Sequence, residues 1–406
     1  MTKMLDVYFY EKRIGELIQD NNGEMQFAYL PRWLEDPKAV AISFSLPLQK
    51  KAFNRKECRP FFSGILPEEN QRKIIAKNLG ISANNDFSLL QRIGGECAGA
   101  ITFLSSDENL QTQKNSYHLL TEATLAKVLR ELPYRPLLAG EQDIRLSLAG
   151  VQDKIAVCVQ GGKISIPLFN APSTHILKPA IDTYEGLIFN EAFCLALAKK
   201  IGLTSVNVEI KKVEDIDYLL IERYDRKILN TNKDNFNVQR YHQEDFCQAL
   251  SIVPENKYQN EGGPSLKQCF NLLREVSTVP VSDIGHLIDV IIFNVLIGNC
   301  DAHGKNFSLL YTDQIRLAPS YDLVSTLYYP ELSPHMAMKL GGEYKINKIS
   351  LKNFEQFAEE IGLAKKGICT RVSEIIELIR TALSAMDKVN TTEEGVCKLI
   401  LKRCGL

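Results

Sequence analysis

A change of hydrophobic period near residue 240 constrains this fold more than any other feature. Between 145 and 224 the apolar residues fall in short runs at 155–159, 163–167, 175–178, 206–212 and 218–221, bounded largely by polar and turn residues. Side chains alternate across a strand every two residues, so runs of this length read as strands. One helical stretch, 190–201, sits among them and stops at Gly202. Beyond residue 240 the apolar positions recur at three- and four-residue spacing, in 244–250, 266–276, 284–296, 351–361 and 371–386, as in helices that bury one face. The pattern predicts two lobes, the first built on a sheet and the second all-helical.

The chain in front of that core reads as a separate α+β unit. Alternation at 5–10 and 16–19, a turn at Asn21-Asn22-Gly23 and a strand at 25–29 predict a meander of hairpins. A helix is expected from 67 to 79, stopped by Gly80, another at 87–93, and then a glycine-rich approach to a strand, 94–104. Residues 105–118 are polar and suit a linker, and Thr121 caps a helix that Pro133 and Pro136 close off. The expected divisions are 1–106, 107–140 as linker and helix, 141–226 as the sheet-rich lobe and 227–406 as the helical lobe.

Bulk properties exclude several classes. Lys+Arg number 48 against 49 Asp+Glu, so no broad field draws the chain to nucleic acid or an anionic membrane. Ten cysteines are scattered without a CxxC pair or a Cys/His cluster, which predicts reduced, mostly buried thiols rather than a disulfide framework or a zinc site. The N-terminus lacks the apolar run of a signal peptide. The most apolar stretch, 284–297, is interrupted by His286, Asp289 and Asn294 and is shorter than the roughly 20 residues that span a bilayer. A soluble, cytoplasmic protein without a membrane partner is expected.

The most informative chemistry lies at 294–308. Asp301 and Asn306 have the spacing D-x-x-x-x-N, directly after an apolar helix and directly before a strand at 307–311. Transfer of a phosphoryl group to a hydroxyl needs a carboxylate beside the nucleophile and an oxygen ligand for Mg2+, and protein kinases supply both from one loop with this spacing. Asp and Asn at such a distance often only make turns, so the next element matters. After the strand comes Ala318-Pro319-Ser320-Tyr321-Asp322-Leu323, and Asp322 stands where a second metal ligand is expected. Upstream, Lys178 ends a strand and can neutralise phosphate charge as a point cation, with Glu191 on the intervening helix as its expected partner. Residues 218–226 close a strand with a polar, aromatic exit suited to holding adenine. The segment 145–154 joins two strands through small residues that let backbone N–H groups approach phosphate.

Together these residues resemble the HipA-type kinases. The carriers are RLSLAGVQDK (145–154), HILKP (175–179), ERYDR (222–226), HQEDFCQAL (242–250), GNCDAHGKNFS (298–308) and APSYDL (318–323), with FFSGILPEE (61–69) and IGGECAGA (93–100) in front. The resemblance covers nearly the whole chain. It implies an α+β, bilobal protein-kinase-like fold with an atypical, lipid-kinase-like catalytic loop, a small N-terminal α+β subdomain and an all-helical C-terminal lobe. It also implies ATP and Mg2+ as cofactors. Asp301 would be the catalytic base; Asn306 and Asp322 would hold Mg2+. Ala149, Gly150, Val151, Gln152, Asp153 and Lys154 would form the phosphate loop and Lys178 would contact the phosphates. Glu222 and Tyr224 would frame adenine, with Arg223, His303 and Tyr321 beside the nucleotide. Ser147 matches a serine that family members autophosphorylate to silence themselves. Val151 and Asp153 stand where Ala and Glu are common, and Tyr224 replaces a Phe; none of these removes a required group.

The implied role is a toxin of a toxin–antitoxin pair that phosphorylates a serine of an aminoacyl-tRNA synthetase, the glutamyl enzyme first. A helix-turn-helix, HipB-like antitoxin would neutralise it, and operator DNA would be reached mainly through that antitoxin. A small-molecule kinase would share the same Asp and Asn. A non-catalytic co-repressor would have no physical need for clustered carboxylates.

Overall fold

The computed structural model describes residues 2–106, 108, 116–180, 184–230 and 236–405. Most of the polar segment expected to be a linker, residues 107 and 109–115, lies outside the described residues. The chain forms two compact units, Met1–Pro179 with Lys211–Pro254, and Ala180–Ile210 with Glu255–Leu406.

In chain order the first unit holds β1 (Lys3–Phe9), β2 (Lys12–Gln19), β3 (Met25–Tyr29), α1 (Pro31–Leu34), α2 (Arg55–Gly64), α3 (Glu69–Leu79), α4 (Asp86–Ile93) and β4 (Ile101–Ser105). It continues with β5 (Ser116–Leu119), α5 (Glu122–Glu131), β6 (Ile155–Gln160), β7 (Lys163–Leu168) and β8 (His175–Pro179). The chain then supplies α6 (Leu187–Lys200) to the second unit. It continues through β9 (Val208–Val213), β10 (Ile216–Glu222), β11 (Arg226–Asn230), β12 (Asn237–Arg240), β13 (His242–Asp245) and α7 (Phe246–Ala249). One sheet runs β3-β2-β1-β4 and a larger one β5-β7-β6-β8-β10-β9. The expected hairpin meander is present, with Leu5 opposite Leu17 and Gly15 opposite Tyr29. Phe27, Phe61, Phe62, Phe87 and Phe103 are fully buried in a single core that also takes in Ile155, Val157 and Leu177 from the larger sheet.

The second unit adds α8 (Leu266–Val276), α9 (Pro280–Ile297), β14 (Ser308–Tyr311), β15 (Ile315–Leu317), β16 (His335–Leu340), β17 (Glu343–Lys345), α10 (Leu351–Glu360), α11 (Lys365–Ser384) and α12 (Thr391–Arg403). Helix α9 is its axis. Pro280 opens it, Gly298 at φ +75 ends it, and α8, α11 and α12 pack around it. The helix has 18 residues and a mean hydropathy of 1.6, enough by length and composition to cross a membrane, but 61% of it is buried within the protein. Burial inside a helical unit explains its apolarity.

Two expectations need correction. The C-terminal lobe is not all-helical, because β14 pairs with β15 and β16 with β17. Gly341 and Gly342, both at positive φ, supply the tight turn of the second hairpin. The helix expected at 244–250 is a strand end followed by one turn, because Asp245 caps α7 at its own side chain and Ser251 leaves helical geometry at φ +58.

Candidate active site

The first unit holds the candidate phosphate loop, and Glu96 roots it. The Glu96 N–H donates to the Arg145 carbonyl at 2.8 Å, and its own carbonyl accepts from the Ser147 N–H at 2.9 Å. Ser147 is fully buried, and its hydroxyl donates to the Ile65 carbonyl at 3.0 Å. Further along, the Glu68 N–H donates to the Gly150 carbonyl at 3.2 Å, and Val151 reaches solvent. Gly150 sits at φ +105, a backbone conformation that favours glycine, and a Cβ there would lie 2.6 Å from the Lys154 ammonium and displace it. Lys154 closes the loop on itself by donating to the Ala149 carbonyl at 2.7 Å. Gln71 donates to Asp153 at 2.5 Å, and burial pushes the Asp153 carboxyl above its ordinary value.

Lys178 is the penultimate residue of β8, buried, opposite Leu219 of β10. Glu222 closes β10 opposite His175, and the Tyr224 hydroxyl donates to Gln243. Arg223 is held by its side chain within the fold. Its guanidinium donates to both Asp225 oxygens at 2.9 and 2.7 Å and to the Ser173 hydroxyl at 3.0 Å, in full burial. Its N–H donates to the Thr174 carbonyl. The side chain is a core cross-link.

That cross-link converges on Glu96 as well. Arg226 and Arg240 approach the Glu96 carboxylate at 2.8 and 2.6 Å. Burial alone would raise the Glu96 carboxyl, but the guanidinium groups of Arg226, Arg240 and Arg223 outweigh it and hold the carboxyl below its usual value. One residue therefore anchors the candidate phosphate loop by its backbone and the strand exit by its side chain.

In the second unit the carboxylate of Asp301 comes directly after the end of α9. Gly298 turns the chain, and a relay of amides fixes the loop beyond it. Asn294 donates to the Val290 carbonyl at 2.9 Å, Asn299 to Asn294 at 2.8 Å, and the Asp301 N–H to the Asn299 side chain at 3.0 Å. The Cys300 N–H donates to the Thr326 hydroxyl at 2.8 Å. The Tyr258 hydroxyl donates to Asp301 Oδ1 at 2.6 Å, and its ring meets His303 edge-on at 5.3 Å. Asn306 ends a single 3-10 turn, its N–H bonded to the His303 carbonyl at 2.9 Å.

The turn bearing Asp322 is braced from three sides. Thr204 donates to the Ser320 carbonyl at 2.8 Å, and the Tyr321 hydroxyl donates to the Lys305 carbonyl at 2.7 Å. Asn190 of α6 makes a two-way amide clamp on Ser325, donating to its carbonyl at 3.0 Å and accepting its N–H at 2.9 Å. Asp322 itself lies at φ +49, a strained conformation for a residue with a side chain, which persists where surroundings over-determine it. The Tyr321 hydroxyl also lies 2.7 Å from the Ser308 hydroxyl, tying this turn to the start of β14, just after the Asp301–Asn306 loop.

The structure thus brings together Asp301, His303, Asn306, Tyr321 and Asp322 in the second unit. Ser147, the 149–154 loop, Lys178, Glu222 and Tyr224 belong to the first. Glu191 is buried on α6. Among the described residues no group of three His, Cys, Asp or Glu could hold a metal by itself. An amide and one carboxylate fit Mg2+ all the same, since it is commonly held by one or two protein oxygens plus substrate phosphates. Sequence reasoning misses Glu96, Asn190, Tyr258 and Asn299, whose roles exist only through tertiary neighbours.

A buried lysine strand, a glycine turn at φ +105 and a carboxylate–amide loop are the parts expected of a phosphotransferase, and the comparisons make the chain a serine/threonine-protein kinase. Residues 5–104 match the HipA N-terminal domain and residues 146–386 the HipA-like C-terminal domain. The chain belongs to the HipA family. It is 43% identical over 94% of its length, and 91% of the relative, to Y4mE of Sinorhizobium fredii, a protein named as a kinase. It is 28% identical over 94% of its length to the serine/threonine-protein kinase toxin HipA of Shewanella oneidensis, covering 89% of that protein. The solved complex of Shewanella oneidensis HipA with HipB and its operator DNA matches with a TM-score of 0.85 at 26% identity, over 98% of this chain and 96% of that one.

Proposed function

We propose that the chain is the kinase toxin of a toxin–antitoxin pair, transferring the ATP γ-phosphoryl group to a serine of an aminoacyl-tRNA synthetase, the glutamyl enzyme first. The observation that carries the transfer chemistry is Asp301. Its backbone is fixed by the Asn299 relay, and its Oδ1 already accepts a hydroxyl hydrogen bond, the interaction a base makes with an acceptor serine. Asn306 and Asp322 hold Mg2+. Lys178 and residues 149–154 take the phosphates, Glu222 and Tyr224 frame adenine, and His303 and Tyr321 line the nucleotide.

Ser147 is the autophosphorylation site. A phosphate brings a charge of about −1.5 to −2, which the fully buried position cannot accept. The modified loop must leave its seat, and the enzyme falls silent. A HipB-like helix-turn-helix antitoxin binds the chain, and operator DNA is reached mainly through it. The formal net charge of −1 supports that indirect role. Nine of the ten free thiols are buried, which suits a reducing cytoplasm.

The test is transfer of label from radiolabelled ATP with Mg2+ to purified glutamyl-tRNA synthetase. Wild type transfers, and Asp301→Asn loses about 10²-fold or more while still binding ATP. Transfer by Asp301→Asn at the wild-type rate overturns the assignment.

A further inference from the structure

The Tyr258 hydroxyl is bonded to the very carboxylate assigned as base, and the chain around it is built to keep it there. The Tyr258 carbonyl accepts from the Glu261 and Gly263 N–H groups at 2.9 and 2.8 Å, folding residues 258–263 into a tight turn. A Cβ on Gly263 would lie 2.5 Å from the Asn256 carbonyl oxygen, so the turn admits no side chain there. Gln259 accepts from the Lys339 N–H of β16 at 2.8 Å, pinning the next residue to a strand. The ring is set edge-on to His303, two residues beyond Asp301. A hydroxyl held so firmly restricts the carboxylate to one rotamer.

We propose that Tyr258 is a positioning residue for phosphoryl transfer: it occupies Asp301 Oδ1 and so presents Oδ2 to the acceptor hydroxyl. This rests on the reading of Asp301 as base. A carboxylate that turns freely about its χ angles spends part of its time misaimed, and the penalty falls on the transfer step rather than on nucleotide binding.

Tyr258→Phe removes one oxygen and keeps the ring against His303. In single-turnover transfer from radiolabelled ATP with Mg2+ to dephosphorylated casein and to glutamyl-tRNA synthetase, kcat falls about tenfold, part of the 10²–10⁴ a general base contributes. The KM for ATP and the thermal midpoint stay at wild-type values. Adding Tyr258→Phe to Asp301→Asn costs nothing further, because the hydroxyl acts only through that carboxylate. A wild-type kcat in Tyr258→Phe overturns the inference, as does a faster one, which would make the hydroxyl a competitor of the acceptor. A loss confined to thermal midpoint and folded fraction, with kcat per bound ATP unchanged, also overturns it. If Asp301→Asn itself transfers normally, the base assignment falls first and takes the inference with it.

Discussion

Removing the Asn190 side chain should loosen the candidate metal turn without touching any candidate ligand. Asn190 and Ser325 are both fully buried, and the clamp satisfies one N–H and one carbonyl of Ser325. Asn190→Ala leaves both backbone groups without that partner. At about 1–3 kcal/mol for each unsatisfied buried group the loss is about 3 kcal/mol, the lower part of the range because the small space left can admit water. Asp322 stands three residues before the clamp in a left-handed conformation. Once the clamp is gone the turn relaxes toward ordinary geometry, and binding Mg2+ must restore it. A reordering cost of about 1.4 kcal/mol raises the half-saturating Mg2+ about tenfold. The assay is a urea titration of the folded state beside a Mg2+ titration of transfer at saturating ATP. Asn190→Asp should be worse than Asn190→Ala, since it sets a buried carboxylate against the Ser325 carbonyl. If Asn190→Ala keeps both its urea midpoint and its Mg2+ requirement, the brace carries no function and the reasoning fails.

Three further substitutions have defined outcomes. Ser147→Ala should abolish autophosphorylation at a stability cost of about 1 kcal/mol for the bond to Ile65; phosphopeptide mapping that finds the label elsewhere contradicts this. His242 is fully buried against the Ile42 carbonyl at 2.8 Å, and burial pushes its pKa from 6.5 down to about 4. Above pH 6.5 both states are neutral and His242 contributes no pH dependence. Below it the unfolded chain binds a proton that the folded chain refuses, so stability falls, by about 2 kcal/mol at pH 5. His242→Gln should lack that part of the acid slope in urea unfolding, and an unchanged slope refutes the assignment. Glu96→Gln should destabilise by about 3 kcal/mol or more, since it leaves the buried guanidinium groups of Arg223 and Arg226, and the part-buried one of Arg240, short of a charge partner. It should also raise the KM for ATP through the loop it roots, and an unchanged urea midpoint would count against that cross-link.

Much of the fold was legible in residue patterns because the relevant forces are local. The hairpins of β1 to β3 arise from alternation and turn residues, and α8 falls at 266–276 as its apolar spacing predicts. The candidate catalytic loop could be proposed from sequence because Asp301 and Asn306 come from one continuous segment. Helix α2 was not, because Pro60 inside it reads as a break, whereas a capping box of Asn54 and Glu57 and a buried apolar face hold it. The hairpin β16–β17 is short and lies among helices. The side-chain partners of Arg223 were not legible because nothing nearby announces that Glu96, 127 positions earlier, draws its guanidinium inward. Tyr258 and Asn190 carry no motif; each matters through a partner 43 and 135 positions away.

The central claim is that Asp301, Asn306 and Asp322 serve one metal-bound triphosphate. A crystal structure with Mg2+ and a non-hydrolysable ATP analogue tests it directly. The account predicts a metal about 2.1 Å from oxygens of Asn306 and Asp322, and Asp301 facing the terminal phosphate. Nucleotide bound elsewhere, or a metal that ignores Asn306 and Asp322, contradicts it.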